Sequence, residues 1–155
     1  MELSELKLLT DSRNLNIAII LLIILDLIMM VMGLLYVILG TFFTYHVVYI
    51  GMTASEVKSF NPKLMNLISI FIRMVGFGFL IVSIGGLIII FTGIKKREKW
   101  AWMLYILQHL MLATPLMWIS YVVGGLSLIL VIIGWALLII VSYFPIKNSL
   151  NEYWK

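Results

Sequence analysis

The feature that most constrains this chain is a long apolar block, Leu64 to Ile94, that ends abruptly in Lys95-Lys96-Arg97-Glu98-Lys99 and then Trp100-Ala101-Trp102. One charged residue, Arg73, interrupts it. A helix needs about 20 apolar residues to cross the hydrocarbon of a bilayer. This block has more than enough, and a basic run followed by tryptophan is what a span leaves at the headgroup region.

Three further blocks have the same character. The expected spans cover about 15–40, 64–94, 100–121 and 126–144, with a loop over 41–63. The sequence therefore predicts an all-α protein, a four-transmembrane-helix bundle forming a single membrane domain. Composition agrees, with 63% hydrophobic and 12% charged residues against about half and about a quarter in soluble domains. The absence of cysteine excludes disulfides and thiolate chemistry. The net charge of +4 does not point to nucleic acid, because four of the basic residues lie in one loop beside a span.

Local signals fill in the rest. Met1 to Arg13 mixes acidic, basic and leucine residues and is expected as a short interfacial helix rather than a signal peptide. Thr53-Ala54-Ser55-Glu56 has the spacing of a capping box, which predicts a short helix over 54–59. Asn61-Pro62 reads as the N-cap and first position of the next helix. Pro115 removes one backbone hydrogen bond within the third span.

Lys7, Arg13, Lys95, Lys96, Arg97, Lys99, Lys147 and Lys155 fall on one side of such a bundle, against Lys58 and Lys63 on the other. The positive-inside bias then predicts a multi-pass protein of the cell membrane with both termini cytoplasmic. Lys95, Lys96, Arg97, Lys99, Trp100 and Trp102 mark the lipid headgroups on that side.

Charges inside hydrocarbon are costly and mark candidate sites. Asp26 and His109 each lie about 15 Å from the cytoplasmic start of their helices, a matching depth near the midplane. Together with Gln108 they form a candidate polar ligand-binding site, or else a hydrogen-bonded clasp between the first and third spans. Arg73 lies about 30 Å along its helix, at the outer interface, where it is expected as an anchor or a partner for Glu56.

Small residues mark close helix approach. Asp26, Gly33 and Gly40 recur at seven, and Asn66, Ser69, Arg73, Gly76, Ser83 and Gly86 recur at three, four or seven. Gly33, Gly76, Ser83 and Gly86 are the expected packing positions.

No metal-ligand spacing and no nucleophile–base constellation is present, and His46 lies at the wrong depth to share a haem with His109. No cofactor is expected, and the chain reads as non-enzymatic. The expected partners are the lipid bilayer and other membrane proteins or further copies of the chain, because the glycine stripe looks longer than one bundle needs.

The run Gly51-Met52-Thr53…Glu56…Asn61-Pro62, Arg73…Gly76, Gly85-Gly86 and Lys95-Lys96-Arg97-Glu98-Lys99-Trp100-Ala101-Trp102 resembles small prokaryotic four-helix membrane proteins near the DoxX-like group. The resemblance covers about Gly33 to Leu107. It implies at most an accessory role beside quinone-linked redox complexes and supplies no catalytic residues. Three roles stay open: an accessory or structural subunit, a carrier for a small or lipophilic molecule, and a quinone-linked redox component.

Overall fold

The computed structural model describes residues 3–124, 128–129 and 131–139. All secondary structure among them is helical. We number the helices α1 (Leu3–Leu39), α2 (Thr44–Ile50), α3 (Ala54–Phe60), α4 (Pro62–Thr92) and α5 (Lys99–Val123), with one 3-10 turn over Ile94–Lys96. Three segments are long and apolar enough to cross a membrane: Leu15–Leu39, Pro62–Lys96 and Lys99–Val123. Much of the fourth expected span lies outside the described residues, although 131–139 are helical.

The first difference from expectation is at the start. No separate interfacial helix precedes the first span. The backbone is helical from Leu3 straight into it, because Asn14, Leu15 and Asn16 include neither glycine nor proline to stop the helix. The helix stops at Gly40, whose φ of 54° takes the left-handed conformation and whose N–H donates to Tyr36 O at 3.0 Å. The chain turns and restarts as α2, which packs against α5.

The capping signals act as their residue types dictate. Thr53 N–H donates to Glu56 Oε2 at 2.6 Å and Glu56 N–H to Thr53 Oγ1 at 3.3 Å, so α3 opens with both orphan donors satisfied. Asn61 Oδ1 accepts from the N–H groups of Lys63 and Leu64 at 3.0 and 3.2 Å, with Pro62 beginning α4. Pro115 leaves α5 assigned as helix through to Val123, where Gly124 closes it at φ 69°.

α1 runs antiparallel to α4 along their length, and α5 packs back on α4. Four levels stack along the α1–α4 seam. At the end bearing the 3-10 turn, Ala18, Ile19 and Leu22 of α1 meet Ile89, Ile90 and Ile94, with Ala101, Trp102 and Tyr105 of α5 completing an apolar core. Above it sits Asp26. Next, α1 and α4 touch backbone to backbone: a methyl added at either Gly33 or Gly76 would lie 2.9 Å from the other's carbonyl oxygen. At the far end Arg73 lies against Gly40. The opposite faces carry large apolar residues outward, among them Ile38, Ile81, Met103 and Met111, the inverse of a soluble bundle and suited to lipid contact.

The buried stripe of α4 differs from the one read off the sequence. It comprises Ile72, Gly76, Ser83, Gly86, Ile89 and Ile90. Asn66 and Arg73 lie exposed, and Arg73 does so at the open far end of the seam, with its guanidinium against Gly40. Nor does the glycine stripe exceed what this chain needs. Gly76 faces Tyr36 and Gly33, Gly78 faces Leu112, Gly85 faces Gln108, Gly86 faces Asp26 and Gly93 faces Ala101 and Trp100. Each of these close approaches is used within the chain.

Candidate functional site: a closed polar clasp between three helices

Asp26 is fully buried, and its two oxygens have different partners. His109 Nε2 lies 3.0 Å from Oδ1, and the Tyr105 hydroxyl donates to Oδ2 at 3.2 Å. Both partners come from α5, one turn apart, and their rings stack with centroids 4.1 Å apart. Positions four apart on a helix lie one above the other on the same face. That is why one carboxylate can meet both.

Space for the carboxylate comes from α4. A methyl at residue 86 would lie 2.5 Å from Oδ2 and 2.8 Å from Oδ1, so only glycine there lets the carboxylate in. Ser83, one turn away and fully buried, returns its hydroxyl to Leu80 O at 3.2 Å and takes no part.

Hydrogen-bond accounting limits the protonation states. His109 Nδ1 is 2.8 Å from the carbonyl oxygen of Tyr105. A carbonyl can only accept, so Nδ1 carries a proton. The contact between Nε2 and Oδ1 then holds one further proton. It sits on the carboxyl if the imidazole is neutral, or on the imidazole if the carboxyl is ionised. In both arrangements the pair is neutral overall, as the interior of a membrane favours.

Magnitudes decide what such a pair contributes. An aspartate at mid-bilayer costs about 3 kcal/mol to insert. Hydrogen bonds between membrane helices return about 0.6 kcal/mol on average and at most about 1.7. Two such bonds do not repay the cost with any margin, so Asp26 is a poor source of net stability. What it adds is register. The carboxylate is satisfied only when residue 26 stands opposite 105, 109 and 86 at once.

The other expected site residues fall elsewhere. Gln108 is adjacent to His109 in sequence, but its Nε2 donates to Val82 O on α4 at 3.3 Å beside Gly85, since neighbouring helix positions point about 100° apart. It is not bonded into the Asp26 cluster. Arg73 reaches across to α1, where its Nη1 donates to Val37 O at 2.7 Å. Val37 contributes one of the last carbonyls of α1, so the guanidinium caps the negative end of that helix. Glu56, the partner expected for Arg73, has its carboxylate bound by Thr53 instead. Lys95, Lys96, Arg97, Lys99 and Trp100 surround the α4–α5 turn, with Trp100 about half exposed. Trp102 corrects the sequence reading: it is 4% exposed and sits in the apolar core, because it shares the inward face of α5 with Tyr105 and His109.

Two features were missed. Tyr105 was legible as the residue four before His109. The second is an aromatic group over the Gly40 end of the seam. Tyr36 stacks on Phe43, Phe43 on Tyr45, and the hydroxyls of Tyr36 and Tyr45 hydrogen-bond. Phe43 N–H donates to His46 Nδ1 at 3.1 Å, which needs that nitrogen unprotonated. Burial holds the His46 pKa below its ordinary value, in keeping with a neutral ring.

No group of His, Asp and Glu among the described residues could hold a metal ion. Comparison with protein families, with curated proteins and with solved structures found no match.

Proposed function

We propose that this chain is a non-enzymatic accessory or structural subunit of the cell membrane, a four-helix bundle with both termini in the cytoplasm. The observation that carries the reading is the closure of the Asp26 cluster. Both carboxylate oxygens and both imidazole nitrogens are taken up by groups of the chain itself, and Gly86 is pressed against the carboxylate. A carrier needs polar groups that its cargo can reach. Here they are spent on fixing three helices against one another.

The fourth helix finds support in Leu138. It lies in helical backbone, is 5% exposed and joins the core formed by Leu22, Ile90 and Tyr105. The orientation rests on the excess of lysine and arginine on the side of the α4–α5 turn. Partner contact has to come from the outward apolar faces, since the α4 glycines are already used internally.

Extraction of the full chain from its own membrane into polymer-bounded lipid discs, followed by native mass measurement, tests the proposal. The expected result is an assembly heavier than one chain. A lone chain free of other protein would sink the subunit reading. Stoichiometric co-purified quinone would instead favour the redox role that the DoxX-like resemblance implies.

A further inference from the structure

The α4–α5 turn packs four cations into five consecutive positions, Lys95, Lys96, Arg97 and Lys99 around Glu98. It joins two membrane-crossing helices, so the cations lie where both spans end. The turn is firmly built. Lys96, Arg97 and Glu98 donate their N–H groups to Gly93 O, Ile94 O and Gly93 O at 2.9, 3.0 and 3.1 Å, while Ile94 is fully buried beneath them. The last two of these bonds form a helix-terminating motif whose left-handed position glycine normally fills. Arg97 occupies that position, at φ 61° and ψ 37°, and is the only non-glycine residue with positive φ among the described residues.

The turn's charges are also arranged. The one acid, Glu98, has its carboxylate bound by the indole N–H of Trp100. Lys95 Nζ lies 4.9 Å from the centre of the Phe91 ring, which holds its ammonium back toward the end of α4. Trp100 stands about half exposed beside it, an amphipathic ring suited to the headgroup layer.

From this placement we infer that the α4–α5 turn retains an anionic phospholipid in preference to a zwitterionic one. The lipid phosphate lies against the Lys95–Lys99 cations and the acyl chains against the outward apolar faces of α4 and α5. Basic residues next to a span attract anionic headgroups additively. Here one hydrogen-bonded turn of backbone holds all four basic residues within five positions, so a lipid that carries net charge gains from several at once. The inference rests on the membrane placement of α4 and α5 and is independent of the subunit role.

The test incorporates the full chain into vesicles of equal phosphatidylglycerol and phosphatidylcholine, extracts it gently and measures the lipids that remain bound. Enrichment of phosphatidylglycerol over the bulk ratio by roughly fivefold or more is expected, the preference that one such cation at the surface would give. Arg97→Gly is the discriminating variant. It keeps or eases the turn's backbone while removing a charge, so thermal stability holds or rises and the enrichment falls. The combined variant K95Q/K96Q/R97G/K99Q should return to the bulk ratio, whereas K58Q/K63Q, on the opposite side, should keep the enrichment. Bulk lipid around the wild type would overturn the proposal, as would unchanged enrichment in Arg97→Gly and the combined variant. So would displacement of the lipid by excess inorganic phosphate, which would make a soluble anion the ligand.

Discussion

Two carboxylates in this molecule make similar bonds in opposite surroundings. Glu56 stands in the loop between α1 and α4, fully open to water, and accepts from the Thr53 N–H and hydroxyl three residues away. Asp26 lies sealed between spans and accepts from Tyr105 and shares a proton with His109, 79 and 83 residues away. In water a carboxylate that loses a partner finds solvent, so its bonds organise only the turn on which they sit. In hydrocarbon the alternative is an unsatisfied charge, so the same atoms dictate which helices meet and at what height.

The strongest way to break the comparison is to deny Asp26 its place without touching its chemistry. In Gly86→Val the new side chain begins 2.5 Å from Oδ2, so the carboxylate or α1 itself has to move. We expect the largest loss of any single change considered, about 3 kcal/mol, from overpacking together with broken bonds. It should show in reversible unfolding in mixed micelles. A loss no greater than that of Gly78→Val, where the nearest atom is the Leu112 Cδ1 at 3.5 Å, would mean that the clasp does not set the helix register.

Removing the carboxylate and replacing it isosterically sharpen the comparison further. Asp26→Ala strands His109 Nε2 and the Tyr105 hydroxyl and should cost about 2 kcal/mol. Asp26→Asn should cost less than about 1 kcal/mol, since its carbonyl can accept from Tyr105 and its amide can donate to an unprotonated Nε2. If Asn proves as damaging as Ala, the pair is held as carboxylate and imidazolium, and attraction between charges dominates. Nitrogen-15 spectra of His109 in lipid report the same distinction directly, with Nδ1 protonated in either case.

The two carboxylates also differ in how far the sequence disclosed them. Thr53 and Glu56 form a contiguous signature, so the residue types alone specified their bonds. Asp26 and His109 could be matched only by counting depth from the ends of their helices, which works because straight helices between parallel boundaries turn position into height. Depth says nothing about rotation. That is why Gln108 was grouped with His109 although it faces Val82, and why Trp102 was assigned to the headgroups although it faces the core. The heptad from Asp26 through Gly33 to Gly40 did carry rotation, and all three meet α4. The length of α1 was not legible, because a helix that enters the membrane from water changes solvent and not backbone. Arg73 as a cap on α1 required knowing that Gly40 ends that helix beside it.

The smallest expected effect is at Glu56. The Thr53 backbone N–H, followed by its hydroxyl, binds the charged carboxylate and holds its pKa below the ordinary 4.5. A depressed carboxylate contributes stability that is fully present above its unfolded value and is lost as pH falls through the folded one. Amide exchange at Thr53 and Glu56 should therefore be slow and pH-independent, after correction for intrinsic rates, above pH 4.5, and should accelerate below it. Exchange in the spans should not change with it, because α3 meets the bundle chiefly through Val57 and α4. Glu56→Gln should shift the protection of α3 alone. If acidification over this window also loosened α1 or α5, the loop carboxylate would be acting at a distance, and the contrast between a local bond in water and a long-range one in hydrocarbon would fail.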